Sequence, residues 1–144
     1  ARLAGRFEAR LSTGPGDATR LARDAAREAR VIVAVGGDGT VNEVVNGLIA
    51  DDRAVRPDCA IGVIAMGTGR DLARTLGLPA DPRAQLARVV AGTNHCLDIG
   101  KVRFAEGTGS AVRYYANVAS FGLSGVTDRM MNGSRLRWLP DAGR

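Results

Sequence analysis

Lysine is nearly absent from this basic chain. Lys101 is the only one, although 20 Lys and Arg residues against 15 Asp and Glu give a formal charge of +5. A Walker P-loop requires a Gly-Lys-Ser/Thr sequence and a protein kinase requires a strand lysine, and neither pattern occurs. Any phosphate site in this chain therefore has to use backbone amides, arginine and metal ions.

Cysteine, histidine and aromatic residues are also scarce. Cys59 and Cys96 form no CxxC pair and no metal set with the single histidine, His95, which predicts two small buried thiols in a reducing compartment. Aromatic residues make up only 4% of the chain and are not interleaved with the arginines. The composition therefore gives no support for nucleic-acid binding.

Long apolar segments are missing as well. No run reaches the roughly 18 residues that a membrane helix needs, and the chain does not start with the apolar segment of a signal peptide. With 144 residues, of which 45% are hydrophobic, we expect a cytoplasmic globular protein of about one domain. A peripheral contact with the inner face of a membrane stays open.

The most informative stretch is VIVAVGGDGTVNEVVNGLI, residues 31–49. Residues 31–35 are an unbroken apolar run, which predicts a strand covered on both faces. Gly36, Gly37 and Gly39 would permit positive φ angles and a close approach of ligand to backbone. From Thr40 onward the apolar residues recur at helical spacing, at Val41, Val44, Val45, Leu48 and Ile49. A strand, a glycine turn and a helix N-terminus in this order predict an anion site, for which phosphate is the natural ligand.

Asp38 lies inside this glycine turn. Its carboxylate would repel a phosphate unless a divalent cation or a proton lies between them. One interpretation is a metal–phosphate ligand, such as a nucleotide with Mg²⁺. The other is that Asp38 is an ordinary N-cap of the helix that follows.

A second glycine turn follows a second apolar strand. Residues 60–65 (AIGVIA) run into MGTGRDLAR, and Asp71 would lie in the first turn of a new helix. The carboxyl ends of parallel strands meet at one edge of a sheet, so Thr68 and Thr40 could present their hydroxyls to the same phosphates. The alternative is an ordinary loop that uses glycine only for tightness.

The rest of the chain predicts an α/β fold. Residues 6–11 alternate like a strand, residues 12–16 form a loop, and Asp17 would cap a helix. A later helix follows Pro82 and would point Ala84, Leu86, Ala87, Val89 and Val90 inward. Strands at 93–104 and 112–119, joined by a loop at 105–110, suggest an antiparallel unit that starts near Thr93. One more helix would lie within residues 126–144.

The segments GGDGTVNEVVNGL and MGTGRDLARTLGLP resemble the catalytic domain of the diacylglycerol kinase and bacterial lipid kinase family. That family includes sphingosine kinases and is more distantly similar to NAD kinases and phosphofructokinases. STGPGDATRLA resembles its nucleotide loop, and DIGKVRF and YYANVASFG resemble its crossover into a second domain. GGDGT alone is shared with NAD kinases, but its combination with GTGxDxAR is specific.

The resemblance implies a Rossmann-like, three-layer ATP-binding domain with a mostly parallel sheet at residues 1–93, lacking its first strand. Residues 94–144 would then be the crossover and the beginning of an antiparallel, β-rich lipid-binding domain, cut short. The implied reaction moves the γ-phosphoryl group of ATP, with Mg²⁺, to a lipid alcohol such as diacylglycerol. A homodimer is compatible with the resemblance.

The resemblance also assigns site residues. Asp38 would be catalytic, acting beside the Mg²⁺–phosphate group or in the proton network of the acceptor. The nucleotide would contact Ser12, Thr13, Gly36, Gly37, Asp38, Gly39, Thr40, Val41, Asn42, Thr68 and Gly69. Arg70 stands where the family has Asn, and would either bind phosphate or block the pocket. Two alternatives remain: a non-catalytic nucleotide-binding or regulatory domain, and an NAD kinase, whose GxNxGxLGF-type stretch is not found here.

Overall fold

The computed structural model describes residues 7–119 and shows a mixed α/β arrangement. Its helices are α1 (Asp17–Ala26), α2 (Asp38–Leu48), α3 (Asp71–Thr75) and α4 (Pro82–Ala91). Its strands are β1 (Val31–Gly36), β2 (Ile49–Ala50), β3 (Arg53–Ala54), β4 (Ala60–Ala65), β5 (Gly100–Glu106) and β6 (Gly109–Tyr115). No helix within residues 7–119 is long and apolar enough to cross a membrane.

β1 and β4 form the parallel pair on which the site is built. They pair in register from Val31 with Ala60 to Gly36 with Ala65, and α2 lies in the connection between them. Because the last residues of the two strands are partners, both glycine turns begin at the same edge of the pair. The predicted strand–turn–helix order is confirmed for both units.

Small apolar residues form the core between this strand pair and helices α1 and α2. The buried cluster contains Ala18, Ala22, Ala34, Val41, Val44, Val63, Ala65, Leu72 and Ala73. The two helices approach closely at Gly47, where an added Cβ would press on the Thr19 carbonyl oxygen and lie 2.7 Å from the Ala22 Cβ. The position of α1 on α2 therefore depends on the missing side chain of Gly47.

The opposite face of the pair is only partly covered within residues 7–119. α4 packs on β4, where an added Cβ at Gly62 would lie 3.0 Å from Val89. It does not reach across β1, and Val31, Val33 and Val35 are 51%, 38% and 58% exposed. The expectation that β1 is covered on both faces is wrong for the described part of the chain.

α4 lies where it was predicted, but its buried residue is polar. Ala87 and Val90 are exposed, whereas Gln85 is 1% exposed. The Gln85 Oε1 accepts from the Ala65 N–H at 2.7 Å, and its Nε2 donates to the Pro79 carbonyl at 2.7 Å. A glutamine is buried here because it satisfies the Ala65 N–H at the end of β4 and the Pro79 carbonyl in the loop before α4.

The antiparallel unit is present with different limits. β5 and β6 pair from Gly100 with Tyr115 to Glu106 with Gly109, so most of the predicted loop at 105–110 is strand. Residues 93–99 form no strand, and Cys96 among them is exposed rather than buried. Cys59 is half-buried.

Two further differences lie outside these elements. Residues 7–11 form no strand, because no neighbouring strand pairs with them in the described part, and Phe7 and Leu11 are 76% and 87% exposed. The short β2–β3 hairpin was not predicted. The helix expected within residues 126–144 lies outside the described residues.

Candidate functional site

The two glycine turns touch each other through their backbones. The Met66 N–H donates to the Gly36 carbonyl at 2.9 Å. An added Cβ at Gly67 would lie 2.7 Å from the Gly37 Cα, closer than real contacts allow. Glycine is therefore required where the turns meet, and the predicted convergence of the two turns is observed.

The glycines of the first turn serve a different purpose from the one predicted. None of Gly36, Gly37 and Gly39 has a positive φ. An added Cβ at Gly36 would lie 2.6 Å from the Thr40 Oγ1, whereas at Gly39 it would meet nothing within 4 Å. Gly36 is needed because any side chain there would collide with the Thr40 side chain, whereas the backbone at Gly39 is accessible to solvent.

The carboxylate of Asp38 caps a helix, but not its own. Its Oδ2 accepts from the Asp71 N–H and its Oδ1 from the Leu72 N–H, each at 3.3 Å, at the start of α3. The N-cap of α2 is Gly37, which makes no side-chain cap bond. The interpretation of Asp38 as an ordinary cap of α2 is therefore wrong, and the residue instead links the two glycine turns.

Glu43 caps α1 in the same way. Its Oε1 accepts from the Gly16 N–H at 2.9 Å and its Oε2 from the Ala18 N–H at 3.1 Å. Asp17, the predicted cap, instead accepts from the Thr13 N–H at 2.9 Å and from the Thr13 hydroxyl at 3.1 Å. The bond from the Thr13 N–H, followed by that from the Arg20 guanidinium, holds the pKa of the Asp17 carboxyl below its usual range.

The helices consequently differ in how their N-termini are satisfied. α1 and α3 receive carboxylates from α2, and the Asp81 side chain caps α4 by accepting from the Arg83 N–H at 3.1 Å. Within residues 7–119, the N–H groups of Asp38, Gly39 and Thr40 have no hydrogen-bond partner. The positive end of the α2 dipole and its unpaired amides therefore lie at the edge of the strand pair where the two turns meet.

A cleft of about 220 Å³ lies at this edge of the strand pair. One wall comes from the first turns of α2 and α3, and the other from the segment that ends β6 and follows it. The lining residues are Asp38, Gly39, Val41, Asn42, Asp71, Leu72, Tyr115, Ala116, Asn117 and Val118. The last four were not predicted as site residues; the only sequence signal for them was the resemblance of YYANVASFG to a domain crossover.

The predicted site residues fall into two groups. Of those from Gly36 to Asn42, the cleft is lined by Asp38, Gly39, Val41 and Asn42, whereas Gly36, Gly37 and Thr40 belong to the adjoining turn and do not line it. Val41 is 3% exposed, and its N–H donates to the Gly37 carbonyl at 3.1 Å. Gly69 lies beside them, since an added Cβ there would be 2.7 Å from the Asp38 Oδ2, and the neighbouring Thr68 is exposed. Ser12 and Thr13 lie in the exposed loop before α1 and do not line the cleft.

Arg70 neither lines nor fills the cleft. Its Nη1 donates to the Ala80 carbonyl at 3.2 Å, and its backbone is left-handed, with φ 51°. The family's Asn tolerates this conformation better than Arg does, because its short side chain can hydrogen-bond locally. The expectation that Arg70 blocks the pocket is not met in this structure.

Known proteins of one family match this chain over the residues that form the two glycine turns. The model of the diacylglycerol kinase catalytic domain matches residues 1–102. The diacylglycerol kinase of Bacillus subtilis (strain 168) is 43% identical over 113 residues, which cover 77% of this chain and 33% of the relative. That of Staphylococcus aureus (strain JH9) is 41% identical over 108 residues, covering 74% of this chain and 30% of the relative.

A solved structure gives the same result. The crystal structure of a diacylglycerol kinase from Bacillus anthracis str. Sterne matches with a TM-score of 0.51 and 29% identity, covering 72% of this chain and 32% of that one. The chain spans about a third of the length of the relatives it matches. Its matched residues include both glycine turns and the helices that they start, and the chain belongs to the diacylglycerol kinase catalytic domain family.

Proposed function

We propose that the native protein carrying this chain transfers the γ-phosphoryl group of ATP to the hydroxyl of a lipid alcohol such as diacylglycerol. The observation that carries the proposal is the open N-terminus of α2, the one helix within residues 7–119 whose first amides are not capped by a carboxylate. Family membership supports ATP as the donor and a lipid as the acceptor.

The phosphates would bind at the first glycine turn. The N–H groups of Asp38, Gly39 and Thr40, which have no partner among residues 7–119, lie there at the positive end of the helix dipole. Gly39 allows the ligand to approach the backbone, because no side chain covers it. This cradle needs no lysine, which agrees with the near absence of lysine from the chain.

Magnesium fits this site as part of the nucleotide. Asp38 and Asp71 both line the cleft, the latter with its carboxylate paired to Arg74, but residues 7–119 contain no cluster of three or more His, Cys, Asp or Glu that could hold a metal alone. Mg²⁺ commonly uses one or two carboxylates together with substrate phosphates and water. When bound, it would neutralise phosphate charge, while Asp38 and the free amides orient the phosphates for transfer.

The proposed fold is a Rossmann-like, three-layer ATP-binding domain over residues 1–93, joined to a β-rich domain that starts within residues 94–144. The parallel β1–β4 pair, with α1 and α2 on one face and α4 on the other, supports the first part. The antiparallel β5–β6 hairpin supports the second. A lipid acceptor implies peripheral contact with the cytoplasmic face of a membrane.

The test is phosphate transfer from γ-labelled ATP to vesicles that contain diacylglycerol, with Mg²⁺ present. The native protein should label the lipid, and Asp38→Ala should lower kcat by about 100-fold or more, in the range seen when one transition-state contact is lost. Asp81→Ala is the matched control, since it removes a cap carboxylate that does not line the cleft. It should cost about 1 kcal/mol of stability and keep its activity.

The same assay separates the alternatives. Nucleotide binding by calorimetry without lipid labelling would favour a non-catalytic regulatory domain. Labelling of NAD instead of lipid would favour an NAD kinase. A native protein that binds no ATP would refute the phosphate site itself.

A further inference from the structure

We propose that Glu43 is a positioning residue that holds the loop of residues 12–16 against α2. In this position the loop would contact ATP that is bound at the first glycine turn. The inference rests on the proposed function and adds a residue that touches no substrate. It explains how Ser12 and Thr13, which do not line the cleft, could act in the same site as the first glycine turn.

Glu43 joins the two elements through both its side chain and its backbone. The two carboxylate oxygens accept from Gly16 and Ala18, at 2.9 and 3.1 Å, and the Glu43 carbonyl accepts from the Thr19 hydroxyl at 3.0 Å. Bonds from two backbone donors to one ionised carboxylate are stronger than neutral ones and restrict direction as well as distance. One residue of α2 therefore fixes where α1 begins.

In the described part of the chain, the loop makes no other hydrogen bond to α2. The bonds from Thr13 to Asp17 shape the loop internally and do not reach α2. Within residues 7–119, the bond from the Gly16 N–H to Glu43 is the only hydrogen bond between residues 12–16 and an element other than α1. Because the loop is otherwise exposed, the bond from the Gly16 N–H is the contact by which Glu43 ties the loop to α2.

The same carboxylate also affects where an anion can bind. It occupies the N-terminus of α1, where a phosphate would meet a negative charge and amides that are already paired. The N-terminus of α2, five residues before Glu43 on the same helix, stays open. Glu43 therefore leaves the N-terminus of α2 as the open anion site while it ties the loop to the same helix.

Glu43→Gln tests this role with little change in volume. The glutamine keeps one acceptor but turns its amide group toward a backbone N–H, so one of the two bonds from the Gly16 and Ala18 amides is lost. We expect the KM for ATP to rise about 10-fold, as for the loss of one charge-assisted bond, with kcat within about two-fold of the native value. Hydrogen exchange at the Gly16 and Ala18 amides should become faster in the variant.

Thr19→Val is the matched control. It removes the bond from the Thr19 hydroxyl to the Glu43 carbonyl but leaves the Gly16 and Ala18 amides paired, so it should lower the melting temperature without raising the KM for ATP. Equal increases in KM for the two variants would overturn the proposal, because general loosening of α1 would then explain both. An unchanged KM, or unchanged exchange at Gly16 and Ala18, in Glu43→Gln would also overturn it.

The experiment distinguishes this inference from the proposed function. If the native protein binds no ATP by calorimetry, the proposed function fails and the inference fails with it. If the native protein binds ATP and Glu43→Gln binds it equally well, only the role of Glu43 is refuted.

Discussion

Asn46 attaches β6 to α2, and its replacement by Ala should loosen that contact. The side chain is 8% exposed, and all of its polar groups are used. Its Nδ2 donates to the Asn42 and Tyr114 carbonyls, each at 2.8 Å, and its Oδ1 accepts from the Tyr114 N–H at 2.9 Å. The amide therefore pairs with Tyr114 as the backbone of a neighbouring strand would.

The magnitude follows from the three bonds. Each is worth about 0.5–1.5 kcal/mol net, and the part-buried backbone groups of Tyr114 would keep their desolvation cost without a partner. We expect Asn46→Ala to lower the free energy of unfolding by about 2–4 kcal/mol. Asn46→Asp should be at least as harmful, since it directs a carboxylate oxygen at two carbonyls in a buried position.

Urea unfolding followed by circular dichroism measures this loss. Asn42→Ala is the control, because Asn42 lies one turn earlier on the same helix and its side chain is exposed. It should change the free energy of unfolding by no more than about 0.5 kcal/mol. A loss below about 1 kcal/mol for Asn46→Ala, or equal losses for both variants, would refute the reasoning from the three bonds.

Two further substitutions test backbone geometry. Gly47→Ala should destabilise by about 2 kcal/mol despite its better helix propensity, because the new Cβ would press on the Thr19 carbonyl. Gly39→Ala, whose Cβ would meet nothing within 4 Å, is its control in the same thermal melts and should not destabilise; equal losses would contradict the packing explanation. Arg70→Asn should stabilise by about 1 kcal/mol, since Asn tolerates the left-handed φ of 51°. It should leave kcat unchanged, and a destabilised variant would show that the bond from Arg70 to the Ala80 carbonyl outweighs the strain.

The sequence alone determined the two strand–turn–helix units and the resemblance to the family. Both are local properties, because a β-branched run, a glycine turn and a change to helical spacing can be recognised within about a dozen residues of sequence. Because parallel strands bring their carboxyl ends to one edge, the meeting of the two turns also followed from the pattern.

Tertiary structure alone decided which carboxylate satisfies which helix. Asp38 was interpreted from its own neighbours in sequence and Glu43 received no predicted role, yet they cap α3 and α1, helices far away along the chain. Asn46 and Gln85 have polar side chains but are buried, because distant backbone groups provide their partners. A hydrogen bond between distant elements cannot be predicted from the local spacing of residues, so these roles were established only by the folded structure.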